Sequence, residues 1–214
     1  MTTPTVTTCV SLTLSHVPVP ASADGTHPEG RHLVGLGILV AQRDLRRGWR
    51  FELHSNALSA GTPEEALLEW AADRLPGNAT FIGWQVDHGM MPMLLDAAAT
   101  AKPEIAQHFL VRLHRLLSGG VVDLAVPRGG AAAPPFADVA AEMAISAPRM
   151  DLPSIFSAWA TGRCEQHQAD LEAQALVLWR VFTRDAGMAG LSAEAATEDW
   201  LRRGKTAGFV CATR

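Results

Sequence analysis

The run Ala79-Thr80-Phe81-Ile82-Gly83-Trp84-Gln85-Val86-Asp87-His88-Gly89-Met90-Met91-Pro92-Met93-Leu94-Leu95 decides how this chain is read. Thr80 to Trp84 has the make-up of a short buried strand. Gln85 to Gly89 breaks it with polar residues. Met90, Met91, Met93, Leu94 and Leu95 then open an apolar helical face, with Pro92 tolerated in its first turn. Strand, sharp loop and helix in succession often place a site at the carboxyl end of a sheet. The same succession also serves as a plain connection.

Upstream, three segments read as strands: Thr5–Leu14, Leu33–Ala41 with two internal glycines, and the strictly alternating Trp49–His54. Prolines and glycines make His16–Gly30 a loop. The links are too short for helical crossovers, so the three strands form an antiparallel meander. Thr62 is the expected N-cap of a helix running to Leu75, with Pro63, Glu64 and Glu65 in its first turn. Through that crossover Thr80–Trp84 lies parallel to a neighbour, and it is expected beside the first strand.

Downstream, helices are expected at Met90–Ala101 and Pro103–Leu117, then a short strand at Val121–Ala125. The Ala/Gly/Pro-rich stretch Gly129–Pro135 is expected to be mobile. Helices follow at Phe136–Met143, Pro153–Thr161, Glu165–Asp185 and Ala193–Arg203. The order predicts one α/β domain over residues 1–214, with a helical extension from about 190. Its core should include Phe81, Ile82, Leu94, Phe109, Leu113, Leu176 and Trp179.

Composition narrows the function. Hydrophobic residues make up 48% of 214, enough for a core without staples. A net charge of −4 argues against a strongly basic nucleic-acid binder, though not against a local basic groove. Cys9, Cys164 and Cys211 show neither a disulfide framework nor zinc spacing. No apolar run approaches the roughly 18 residues of a membrane helix, and no signal peptide is recognisable, so a cytoplasmic protein with no membrane association is expected. Phosphate loops, dinucleotide fingerprints and nucleophile elbows are absent from the sequence.

The element order and several residues resemble the DnaQ-like 3'-5' exonucleases of RNase H-like fold, most closely the exonuclease domains associated with family B DNA polymerases. Phe81 to Leu95 is similar to that family's N-G-x-x-F-D-L-P segment, with Gln85 in the Asn place and Met91-Pro92 in the Leu-Pro place. Val122-Asp123-Leu124 is similar to its H-x-D-L strand. His167-Gln168-Ala169-Asp170-Leu171-Glu172-Ala173 is similar to H-x-A-x-x-D-A, with Glu172 in the Asp place; in a second frame Asp170 is the Asp and Gln166 replaces a Tyr. The resemblance implies a three-layer α/β/α domain with a mixed sheet of about five strands. It also implies two Mg²⁺ or Mn²⁺ ions held by four Asp or Glu, with a Tyr or His orienting water. Hard cations need such oxygen ligands, and a pair of them clamps both oxygens of a phosphodiester displacement.

The chain departs from that pattern where the carboxylates belong. On the first strand the acidic pair is replaced by Ser11 and Thr13 or by Thr13 and Ser15; the second frame keeps Val17-Pro18 in step. Met90 stands at the second-segment Asp, and a thioether is a poor Mg²⁺ ligand. A shifted frame offers Asp87 or Gly89. The site expected from the resemblance is therefore incomplete: His167 as general base, Asp170 and Glu172 as remaining metal ligands, Gln85 and His88 as nucleic-acid contacts. All but Gln85 have a plainer reading. His167 could be a surface residue at a helix start, and Asp170 and Glu172 first-turn acids on a solvated face. His88 could be a loop histidine, Asp123 a strand-end acid, and the Met90, Met91, Met93 group core filling. Arg46-Arg47 and Arg202-Arg203 read as solvated surface. The expectation is an exonuclease-like protein without metal-dependent cleavage and without a cofactor, retaining single-stranded nucleic-acid binding or a protein partner. The alternatives are an active Mg²⁺- or Mn²⁺-dependent exonuclease with an atypical site, and a purely structural or partner-binding module.

Overall fold

The meander is present and supplies three of the five strands of one sheet. The computed structural model describes residues 7–19 and 30–204. Strand β1 (Thr7–Val19) pairs antiparallel with β2 (Gly30–Asp44), which pairs antiparallel with β3 (Gly48–Ala57). Helix α1 (Glu65–Arg74) then carries the chain across to β4 (Thr80–Gly83), which lies parallel to β1. A π-turn (Val86–Met90) leads into α2 (Met91–Thr100), and α3 (Pro103–Leu117) returns to β5 (Val121–Asp123), parallel to β4. The sheet order is β3-β2-β1-β4-β5. Four more helices follow: α4 (Phe136–Glu142), α5 (Leu152–Thr161), α6 (Cys164–Asp185) and α7 (Leu191–Gly204). The protein is thus α/β with a five-stranded mixed sheet.

Alternation along the central strands sends side chains into two cores. Val10, Leu12 and Phe81 meet α1, α2 and α3 through Leu67, Leu68, Leu94, Phe109 and Leu113. Cys9, Leu39 and Ile82 meet α4, α6 and α7 through Phe136, Trp179 and Ala193. Six of the seven expected core residues are buried; Leu176 is only half-buried, packed at the margin of the second core. Helix α7 is tied to α6 by the Trp179 indole N–H donating to Thr197 at 2.9 Å and by Arg184 to Glu194 at 2.7 Å. No helix among the described residues is long and apolar enough to cross a membrane.

Several local expectations need correction. β1 does not stop at Leu14 but runs through His16 and Pro18, pairing as far as Val19 with Gly30 across a bulge at Ser15/His16. The β4 pairing ends at Ser11 with Ile82, so beyond it one side of β1 is an open edge where proline is tolerated. The first residues of the expected strand, Thr5 and Val6, most of the expected loop (20–29), and Cys211 lie outside the described residues. Thr62 does not cap α1: the helix starts after Glu64, and Thr62 closes a turn with Ser59. The Glu64 carboxylate is turned instead toward the backbone N–H of Leu33. Within Gly129–Pro135, the stretch expected to be mobile, the chain makes one 3₁₀ turn, Gly130–Ala132; it follows another, Val126–Arg128, in which Arg128 is bound to the Leu124 carbonyl and to Asp185.

The two glycines inside β2 decide how α6 sits. A Cβ at Gly37 would lie 2.5 Å from the Leu171 carbonyl oxygen, and one at Gly35 2.6 Å from Ser15 Oγ and 2.9 Å from His167 Nε2. Only glycine lets the α6 backbone approach the sheet this closely. The face of β1 under α6 carries small hydroxyl residues for the same reason: there is no depth there for a larger side chain.

Candidate functional site

Ser11, Thr13 and Ser15 alternate along β1, so all three point to the α6 face. Each makes one short hydrogen bond to that helix. Ser11 Oγ donates to the Ala175 carbonyl at 2.7 Å, Thr13 Oγ1 to Gln174 Oε1 at 2.7 Å, and Ser15 Oγ lies 2.7 Å from His167 Nε2. All three hydroxyl residues and His167 are buried. The result is a ladder of hydroxyls that fastens the central strand to the long helix. It satisfies buried polar groups that would otherwise destabilise the fold.

His167 is therefore not the surface residue of the plainer reading. It lies in the first turn of α6, 6% exposed, in the gap that Gly35 leaves. Burial pushes its pKa below the ordinary imidazole value, partly offset by the charge of Asp170. A neutral imidazole hydrogen-bonded to a serine could in principle accept its proton. Here both partners are buried.

Asp170 and Glu172 do not sit in the first turn of α6, and they do not converge. Asp170 accepts from the Gln166 side chain at 2.9 Å, while Glu172 accepts from Ser55 on β3 at 2.9 Å. Two helical positions apart, they leave the axis in nearly opposite directions, roughly 200° apart. Asp123 accepts three backbone N–H groups, from Gln85, Val86 and Ala125, at 2.8–2.9 Å. Met90 and Met93 are buried core residues. Among the described residues no three His, Cys, Asp or Glu gather where they could hold a metal ion. The donor set therefore does not fit a pair of divalent cations, whose ligands must be several convergent carboxylates.

What the strand ends do form is a groove. Where β4 stops and β1 continues, a cavity of about 260 Å³ opens, lined by Thr13, His16, Arg31, Trp84, Gln85, Met90, Met93, Phe136, Gln174 and Leu178. Trp84 stands at one side, packed on Phe136 with ring centroids 5.2 Å apart. The Thr13 bond occupies the Gln174 carbonyl oxygen and leaves its amide N–H groups with no partner among the described residues. Arg31 supplies positive charge at the mouth; burial and then that charge hold the His16 pKa below the usual imidazole range, so His16 lines the groove as a neutral ring.

Of the two residues expected to contact nucleic acid, Gln85 lines this groove. His88 is exposed in the π-turn, as in its plainer loop reading. Sequence reasoning missed Gln174, Arg31, His16 and Trp84 as parts of one site. Gln174 lies 161 residues from its Thr13 partner, and no local pattern could have joined them. The one readable signal was the alternation Ser11-x-Thr13-x-Ser15 facing a strand with glycine at 35 and 37. No protein-family model matches the chain, and no curated protein matches it.

Proposed function

We propose that the chain is a degenerate exonuclease-like protein of RNase H-like fold, a single three-layer cytoplasmic domain, that binds single-stranded nucleic acid beside β1 without metal-dependent cleavage. The observation that carries this reading is the hydroxyl ladder. Three side chains that the resemblance would make metal ligands, or neighbours of them, are instead bonded to α6 within 2.7 Å. Neutral hydroxyls do not offset the desolvation of a divalent cation as carboxylates do. Without such cations the charge developing on a transferred phosphate goes unstabilised, which is usually the largest catalytic contribution.

The fold part of the proposal is supported by the antiparallel meander and by β4 lying parallel to β1. The binding part is supported by the groove's chemistry. Trp84 offers an aromatic face of the kind on which bases stack, worth about 1–3 kcal/mol per base. Gln85 and Gln174 offer amides able to meet base edges, and Arg31 can neutralise a phosphate. A protein-partner reading is favoured by one other feature, helix α5, on which Leu152 is 47% and Phe156 48% exposed.

The test uses labelled single-stranded DNA and RNA with purified protein and Mn²⁺. Binding that weakens steeply with salt and with Trp84→Ala, and no degradation, is the expected result. Robust cleavage that disappears in Asp170→Ala, Glu172→Ala would restore an active exonuclease. Neither binding nor cleavage would leave the partner-binding reading.

A further inference from the structure

Gln85 has an unusual backbone. Its φ is 50° and ψ 50°, a left-handed conformation that a non-glycine residue adopts only when held there. Gln85 lies two residues past the end of β4, and its carbonyl accepts the N–H groups of Gly89 at 2.8 Å and Met90 at 3.2 Å, closing the π-turn. The direction of the Gln85 side chain, and with it the wall of the groove, follows from that one torsion.

The restraint comes from the neighbouring strand. Asp123 ends β5 beside Gly83, and its carboxylate reaches across: Oδ1 accepts Gln85 N at 2.9 Å and Ala125 N at 2.9 Å, while Oδ2 accepts Val86 N at 2.8 Å. Two successive amides can point at one carboxylate only when the backbone between them is bent as it is here. Gly83 completes the arrangement, because a Cβ there would lie 2.6 Å from Val86 Cγ2 and push the bend open.

We infer that Asp123 is a positioning residue: it latches Gln85 in the left-handed conformation and so shapes the groove for its ligand without touching that ligand. The inference rests on the nucleic-acid reading for the identity of the ligand only. In Asp123→Asn one terminal oxygen becomes an NH₂ that faces an N–H donor, so at least one of the three bonds is lost.

The experiment pairs two readouts: hydrogen exchange followed by mass spectrometry, and binding of a fluorescein-labelled single-stranded DNA. Asp123→Asn should speed exchange across residues 85–90, leave β1–β3 protected, and weaken binding by about tenfold or more, as expected for one lost charge-assisted bond. Adding Gln85→Asn, which keeps an amide and tolerates positive φ, should restore protection and part of the affinity. A purely structural role for Asp123 would show no such rescue. Unchanged exchange in Asp123→Asn, or weakened binding that Gln85→Asn does not recover, would overturn the latch. If Asp123→Asn does not fold, Gln85→Val tests the same strain with Asp123 in place. It should open the same segment and weaken binding, and a tolerated valine would overturn the inference. A wild-type protein that binds no oligonucleotide, yet shows the exchange pattern and its rescue, would overturn the nucleic-acid reading and leave the latch standing.

Discussion

Gly37→Ala puts the packing of α6 to a direct test. The added methyl would lie 2.5 Å from the Leu171 carbonyl oxygen, 2.8 Å from its carbon and 2.8 Å from Thr13 Cγ2. Ordinary contact needs roughly 3.5–4 Å, so α6 must lift by about 1 Å or the strand must sink. Two of the three obstacles are backbone, which cannot rotate away. Overpacking costs about 1–3 kcal/mol, and a rigid obstacle belongs at the upper end. Against this, replacing glycine stabilises by about 0.4–1 kcal/mol through the unfolded chain. The net is a loss of about 2 kcal/mol, or about 4–8 °C in Tm for a chain of this size. Lifting α6 would also stretch the Ser11, Thr13 and Ser15 bonds, so the loss should not be local. The assay is thermal unfolding followed by circular dichroism, with Gly77→Ala as control, since a Cβ at Gly77 meets nothing within 4 Å. A Gly37→Ala melting point within about 1 °C of the control would refute the close-approach argument.

Other outcomes follow from the same geometry. Thr13→Val keeps the shape but leaves Gln174 without its donor, and should lower stability by about 0.5–1.5 kcal/mol in chemical denaturation. Phe81→Ala and Trp179→Ala should each cost about 3–5 kcal/mol, and Leu176→Ala clearly less because it is half-buried; equal losses in the three would show the burial assignment wrong. His167 has a folded-state pKa lowered from 6.5, so the unfolded chain takes up the proton first as pH falls. Its contribution is therefore full above about pH 6.5 and is lost on acidification until the folded state also protonates. Denaturation midpoints measured from about pH 7 to 5 should fall less steeply in His167→Gln, some slope remaining because His16 is shifted in the same direction. An unchanged slope would contradict the burial of that imidazole.

Much of the fold was legible because the links are short. Residues 45–47 cannot hold a helix, so β2 and β3 had to be antiparallel, and the α1 crossover made β4 parallel to β1. The helix at Pro103–Leu117 has the bounds its apolar spacing and terminal glycines indicated. Pro18 misled, because proline breaks a strand only where both sides are paired, and β4 ends too early to require its N–H. Thr62 misled because a cap is chosen by competition: Glu64 bonds to β2, and the helix begins after it. The site was less legible. That β1 carries hydroxyls at alternate positions could be read directly, but what they bond to lies more than 150 residues away. Asp170 and Glu172 read as a pair only on paper, since two steps along a helix turn them apart.

The sheet separates two large buried clusters that share no side chains, beside a small third one at Val17, Val34 and Ile155. Phe81 and Ile82 are consecutive in sequence, yet one belongs to the layer under α1–α3 and the other to the layer under α4, α6 and α7. A void opened beside Leu94 has no atoms in common with one opened beside Trp179, so their free energies add, while two voids within one layer relax into each other and do not. Sequence drift can therefore proceed separately on the two faces. The α1–α3 layer is free to change residue by residue under ordinary volume constraints, whereas the other layer is bound to a fixed spacing by the glycines and hydroxyls beneath α6, where a single added methyl has nowhere to go.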